Sequence, residues 1–391
     1  MTTTLSSEAI IAAESAHTSG VYAKRPLAIV RGEGARLWDA DGHEYIDCVG
    51  GMGAVNVGHC NPAVVAAIRE QADTLLSCTE LFYNDQRAAY LNELAAVMPD
   101  GLDRLFLCNS GTEAVEGALK FARLLTGRPG IIAAIHGFHG RTMGALSATW
   151  EPKYREPFAP LIAGVQHVPL NRIEDLDEVV NEQTGAVLLE LVQGEGGVRR
   201  ADSEYVAAAA RLARERGALL VIDEVQTGFG RTGRLWACEH FGITPDIMAL
   251  AKSIAGGLPM GAIAINNRLG ALAQGSHGST FGGWPLACAA ARAALRYILD
   301  NDLPRQAAEK GAYVAERLSA LKLPRVREVR GLGLLVGLEL KERVGPFIEP
   351  LMERGVLALV AGPNVLRLLP PLVIEYDQLD RVIKAIDEVL R

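Results

Sequence analysis

The sequence predicts an α/β protein: a large, mostly parallel sheet domain covered by helices, followed by a smaller α+β domain. Three observations predict it. Short, wholly apolar runs alternate with longer amphipathic stretches through the middle of the chain, as strands buried on both faces and crossover helices would. The C-terminal part changes character, with strand-like segments at 326–340 and 356–369 and a closing amphipathic pattern. No long linker, repeat or low-complexity tract interrupts the order.

In chain order, residues 29–38 and the Asp41-Gly42 turn read as a strand pair able to complete either domain. The runs at 105–107, 131–135, 186–189, 218–222, 247–251 and 262–265 read as buried strands. Between them Val115, Ala118, Leu119 and Ala122 recur at i, i+3, i+4 and i+7, the period of a helix face, and 206–216 reads as another helix. Leu379, Val382, Ile383, Ile386 and Leu390 mark the last helix. The domains expected are 1–50, joining the small domain; 51–285, the large domain; and 286–391, the small domain.

The 391 residues carry 39 basic and 46 acidic side chains, a net charge of −7, which argues against nucleic acid as the main partner. No apolar run reaches the roughly 18 residues of a membrane helix. The start, Met1-Thr-Thr-Thr-Leu5, lacks the basic and apolar regions of a secretory signal, so a cytoplasmic, membrane-free protein is expected. The six cysteines form no CxxC pair and read as reduced thiols. The absence of any Gly-Lys dipeptide excludes a Walker A loop, and GxSxG and HExxH are missing too.

In parallel α/β sheets, ligands gather beyond the carboxyl ends of the strands. Asp223 follows the run at 218–222, and Lys252 follows that at 247–251, beside Ala255-Gly-Gly257. Cys108-Asn109-Ser110-Gly111-Thr112 follows the run at 105–107 and opens a helix. Each has a plain structural reading: Ser110 or Thr112 as a helix cap, Asp223 in a salt bridge, Lys252 as a solvated strand end. Their convergence on one sheet edge favours chemistry. A lysine amine able to bond the cofactor aldehyde and shuttle a proton, a carboxylate able to keep a pyridine nitrogen protonated, and a helix start able to hold a phosphate suit pyridoxal 5'-phosphate.

Seven ordered blocks then carry a family resemblance. They are Asn109-Ser-Gly-Thr-Glu-Ala114, Gly137-Phe-His-Gly-Arg-Thr142, Val192-Gln-Gly-Glu-Gly-Gly197 and the stretch from Val221-Ile-Asp-Glu-Val-Gln226 to Gly233. Leu250-Ala-Lys-Ser253, His277-Gly-Ser-Thr-Phe-Gly-Gly283 and Leu366-Arg-Leu-Leu-Pro-Pro371 complete them. The chain resembles a subgroup III (class III), fold-type I aminotransferase of the acetylornithine and LysW-carrier branch, over residue 20 or so to the C-terminus.

The resemblance implies that Lys252 carries the Schiff base and that Asp223 pairs with the pyridinium. It implies that Ser110, Gly111 and Thr112 cradle the phosphate, with Phe138 and Val225 on the two ring faces and Gln226 at the ring hydroxyl. Thr280 would reach the phosphate of the neighbouring subunit, implying a homodimer with shared sites. Arg141 would clamp a substrate α-carboxylate, and Glu195 and Arg367 would gate between an ω-amine and the distal carboxylate of glutamate. Tyr22 would line the entrance. The implied reaction moves the distal amine of an N²-blocked diamino acid, such as N-acetylornithine, to 2-oxoglutarate. Alternatives are a precursor borne on an acidic LysW-type carrier protein, a broad ω-amine transaminase, or a cofactor-binding protein without turnover.

Three positions depart from the family pattern: Trp284 stands for Asn, Leu191 for Pro, and Thr79-Glu80 for Ser-Asn. Trp284 would either reshape the entrance or pack between subunits. The GxGxxG match at 228–233 is set off from its strand by Asp223 to Thr227, which weighs against a dinucleotide fold. His136 and His139 lack partners for a metal site; His139 is read as supporting Arg141.

Overall fold

Seven strands, six of them at the expected apolar runs and the seventh, Val165–Val168, not expected, line up in one central sheet in a computed structural model that describes residues 5–391. Residues 1–4, with most of the N-terminal stretch read for a signal, lie outside the described residues. The spatial order is Arg104–Cys108, Gly261–Ile265, Ile247–Leu250, Leu219–Asp223, Thr184–Leu189, Gly130–Ala134 and Val165–Val168. Pairing is parallel from Ile247–Leu250 to Val165–Val168. The strand Gly261–Ile265 runs antiparallel to both neighbours. The short link after Lys252 explains this, since a parallel return needs a crossover of a dozen or more residues.

The helix Gly111–Thr126 packs on this sheet through Ala114, Val115, Ala118, Leu119, Phe121 and Ala122, all buried. Phe121 meets Phe106 edge-on at 5.9 Å. Each large apolar side chain so buried contributes about 1.5–3 kcal/mol against conformational entropy. The expected helix at 206–216 is Ser203–Arg216, burying Tyr205, Val206, Ala209 and Leu212.

The C-terminal part forms its own antiparallel sheet, in the order Val326–Leu332, Leu335–Leu340, Val365–Leu368, Leu359–Ala361. The closing helix Tyr376–Leu390 buries Leu379, Val382, Ile383, Ile386 and Leu390, the stripe its spacing predicts. The N-terminal strands Ile29–Glu33, Arg36–Asp39 and Glu44–Asp47 take in the C-terminal strand Val356–Leu357, Ile46 pairing parallel with Val356. Chain ends far apart in sequence thus share one sheet. Among the described residues, no helix is long and apolar enough to cross a membrane.

Candidate active site

Parallel register carries the chemistry to one edge. Leu189 pairs with Ile222 and Asp223 with Ala249, so Glu190, Asp223 and, after Ala251, Lys252 leave neighbouring strands at the same end. Lys252 opens a short 3₁₀ turn with φ at +49°, in the left-handed region that side chains avoid.

Lys252 is held among charges without being neutralised. Burial pulls its ammonium below the usual lysine range. Glu195 opposes that shift, Arg367 reinforces it, and Asp223 and Glu190 oppose it more weakly. Among the described residues none gives its Nζ a hydrogen bond or a salt bridge. Burial of this kind favours the neutral amine, the form of a lysine able to act as a nucleophile.

Asp223 is buried, and both its oxygens are used. Oδ2 lies 2.8 Å from His139 Nδ1, and Oδ1 accepts the Val225 N–H at 3.0 Å. His139 therefore supports Asp223, which corrects the expectation that it supports Arg141. The reason is topological: the loop after Gly130–Ala134 brings His139 onto the end of Leu219–Asp223. Burial alone would lower the His139 pKa, but the hydrogen bond and charge of Asp223 raise it above the ordinary value.

At the start of Gly111–Thr126, Ser110 caps the helix, its Oγ accepting the Glu113 N–H at 3.2 Å. That leaves the Gly111 and Thr112 N–H groups as free donors at a helix N-terminus, where the dipole favours an anion. Thr112 Oγ1 accepts from the Arg141 and Thr142 N–H groups at 3.3 and 3.2 Å, tying the turn that bears Arg141 to this helix start. A Cβ on Gly111 would sit 2.7 Å from Val225 Cγ1, so glycine there lets the helix start and Val225 form one slot.

Gln226 reaches the site because Gly194 has no side chain; a Cβ there would sit 1.7 Å from Gln226 Oε1. Arg367, on the small sheet, is fully buried and lies 2.6 Å from Glu195, whose side chain is 32% exposed. Its Nη1 donates to Gln226 Oε1 at 3.5 Å. The C-terminal antiparallel sheet therefore meets the edge of the central sheet at this pair.

Phe138, Glu195, Lys153, Tyr154, Arg199 and Asn364 line a cleft of about 370 Å³. Arg141 is exposed at its side, its guanidinium 4.1 Å from the Tyr154 ring, and Phe138 meets that ring edge-on at 6.2 Å. Tyr154 was missed in the sequence because a lone tyrosine has no motif. Glu190 was also missed as a site residue; it is buried and accepts the Phe138 N–H at 2.8 Å. Its position at a strand end, like that of Asp223, was the available signal.

Two expected residues stand apart. Tyr22 is 78% exposed on the irregular N-terminal segment. Thr280 is exposed on the loop before the helix Pro285–Asp300 and lines a separate cavity with Asn109 and Glu113. The departures Glu80 and Trp284 are tied together by Arg87, which is buried. Its Nε lies 3.4 Å from Glu80 Oε1 and donates to Gly283 O at 3.0 Å. Trp284 meets Phe281 with ring centroids 4.6 Å apart and planes tilted by 53°, and Leu191 is buried. The 228–233 glycines open no helix: they run through turns around Arg231, whose guanidinium donates to Leu334 O and Pro370 O.

A family model described as aminotransferase class-III matches residues 19–390. The [LysW]-aminoadipate semialdehyde transaminase of Deinococcus radiodurans is 51% identical over 384 residues, covering 97% of this chain and 90% of the relative. Acetylornithine aminotransferase of Methanosarcina acetivorans is 44% identical, covering 97% and 96%. Among solved structures, ornithine aminotransferase of Toxoplasma gondii, described with PLP at partial occupancy in its active site, superposes with a TM-score of 0.94 at 33% identity, covering 98% and 94%. Acetylornithine aminotransferase of Elizabethkingia anophelis gives 0.86 at 33%, covering 99% of each chain. A match over nearly the whole chain, with Lys252, Asp223 and the helix start gathered at one sheet edge, means that this chain belongs to the class-III aminotransferase family.

Proposed function

We propose that the protein transfers an amino group between glutamate or 2-oxoglutarate and the distal carbon of an amino acid whose α-nitrogen is blocked, N-acetylornithine being the type. The observation that carries this reading is Arg367 with Glu195. A fully buried guanidinium whose partner is a partly exposed carboxylate suits a carboxylate site that can be covered or opened.

The residues fit pyridoxal 5'-phosphate, on the slot between Gly111 and Val225, the free helix-start donors and an unpaired Lys252 beside an anchored Asp223. When bound, the group supplies an aldehyde and an electron-accepting ring. The chain's own residues do the rest. Gly111 and Thr112 hold the phosphate by their N–H groups, and Ser110 shapes that turn. Asp223, fixed by His139 and Val225, holds a proton on the ring nitrogen. Val225 and Phe138 pack against the ring faces, and Gln226 meets its hydroxyl. Lys252 takes the proton from the substrate carbon and returns it on the other side of the transfer, a short step for an amine already depressed by burial.

Arg141, steadied by Tyr154 and Thr112, takes the α-carboxylate of the blocked substrate. While that substrate is bound, Glu195 covers Arg367; glutamate displaces Glu195 and puts its distal carboxylate on Arg367. In a homodimer with shared sites, Thr280 completes the neighbouring phosphate cradle and Tyr22 the entrance.

The 51% identity to a relative named for a LysW-linked substrate favours a second reading, in which the blocking group is an acidic carrier protein. Lys153 and Arg199 on the cleft would meet such a carrier. The test is an absorbance titration of cofactor-loaded protein with N-acetyl-L-ornithine and, in parallel, L-glutamate. Bleaching of the visible band by both supports the first reading. Bleaching by glutamate alone moves the donor to a carrier-bound or simpler amine. A protein that takes up no cofactor overturns both.

A further inference from the structure

The site holds more buried charge than the transfer uses. Glu190 and Asp223 leave adjacent parallel strands one residue beyond the Leu189 and Ile222 pair. Strands lie about 4.8 Å apart, so two carboxylates share one buried corner with His139. Like charges so placed disfavour one another's ionisation. Asp223 has two supports, His139 and the Val225 N–H. Glu190 has one, the Phe138 N–H at 2.8 Å.

We propose that Glu190 is a positioning residue with a variable proton: it anchors the Phe138 turn in either protonation state, and by losing or gaining that proton sets the charge felt by His139 and Lys252. This rests on the cofactor site proposed above. The change is a single O–H bond, made or broken with solvent. Glu190 is 6% exposed, which leaves that exchange open.

The charged groups around Glu190 are His139 from the turn after Gly130–Ala134, Asp223 from the neighbouring strand, and Lys252 beyond it. Burial, opposed by His139 and reinforced by Asp223, pushes the Glu190 carboxyl up to about 7. Its proton is therefore held to a higher pH than that of an ordinary glutamate. The sign follows from Coulomb's law: ionised Glu190 favours the imidazolium of His139 and the ammonium of Lys252, and neutral Glu190 releases both. His139 Nε2 has no partner among the described residues, so nothing else on that nitrogen masks the coupling.

The experiment titrates the His139 imidazole by NMR in the cofactor-free protein, comparing wild type with E190Q and E190D. In E190Q the His139 midpoint should fall by roughly 0.5 pH or more, because a neutral amide replaces a titrating carboxylate. E190D, which keeps a carboxylate, should stay closer to wild type. An unchanged midpoint in E190Q overturns the coupling.

Cofactor affinity, measured separately, tests the anchor. E190Q still offers an oxygen to Phe138 and should bind within about threefold of wild type, whereas E190L should bind about tenfold more weakly. Wild-type affinity in E190L overturns the anchor. Failure of the wild-type chain to bind pyridoxal phosphate would instead overturn the cofactor reading and leave the His139 titration standing.

Discussion

Arg367, on the C-terminal antiparallel sheet, and Glu195, beyond the edge of the central sheet, face each other at 2.6 Å, the guanidinium shut off from solvent and the carboxylate one-third open to it. Arg367 sits within a four-residue strand paired on both sides, while Glu195 lies on a glycine-flanked turn. A buried cation left bare is costly, so under the proposed gating Glu195 would be the partner that moves, covering Arg367 until another carboxylate arrives.

Removing the cation should therefore act on one half-reaction. In R367A the KM for glutamate and 2-oxoglutarate should rise about 30-fold or more, since truncating a buried charged partner costs 2–5 kcal/mol. E195Q should spare glutamate and slow the distal-amine half-reaction about tenfold, or ~1.4 kcal/mol. Stopped-flow measurement of each half-reaction checks both. Equal losses in the two halves of R367A would remove the gating role.

Lys252→Ala would delete the proposed covalent link and the proposed proton shuttle together. Turnover should fall by about 10³-fold or more while the fold persists. Steady-state assay beside thermal melting separates the two effects. Retained turnover would end the assignment, and retained binding of a partner by an inactive chain would mark a binding protein.

Arg141→Ala should cost blocked diamino acids about tenfold or more in kcat/KM while changing simple ω-amines little. Tyr154→Leu keeps the charge and loses the stacked ring, a contact of about 0.5–2 kcal/mol, so its effect should be the same in kind and smaller. A panel of amines with and without an α-carboxylate reads this out. Arg141→Ala with full activity on N-acetylornithine would remove the clamp.

Glu224 gives a stability prediction. It is fully buried, and burial pushes its carboxyl up to about 7, although Thr227 and the Cys238 N–H oppose the shift. Folded Glu224 thus holds its proton more tightly than unfolded Glu224. The stability this contributes is complete below the ordinary glutamate range near 4.5 and is lost as pH rises through about 7. E224Q should gain on wild type between pH 5 and 8, by about 3 kcal/mol at most. Denaturant melts at both pH values check it; a difference independent of pH would show that Glu224 does not titrate there.

Much of the site was legible before folding because strand ends are legible. The wholly apolar runs locate the strands, and in a parallel sheet the residue after each run is delivered to the ligand edge. That reasoning reached Asp223, Lys252 and the helix start at Ser110. The helix stripes at Val115 to Ala122 and Leu379 to Leu390 were equally plain, because a period of 3.6 is a local property. Glu195, Arg367, Arg141 and Gln226 came from the resemblance; nothing local distinguishes them from other polar residues.

The sequence by itself determined the local geometry: which segments are strands, which helix faces are apolar, and which reactive groups end a strand. Only the tertiary structure decided the pairings. It set Gly261–Ile265 antiparallel, joined the N-terminal strands to Val356–Leu357, gave His139 to Asp223 rather than to Arg141, and placed Glu190 beside both. The reason is physical. Burial and periodicity are set by neighbours within a few residues. A hydrogen bond between residues 84 positions apart depends on how whole elements pack, as does the ion pair of Arg367 with Glu195.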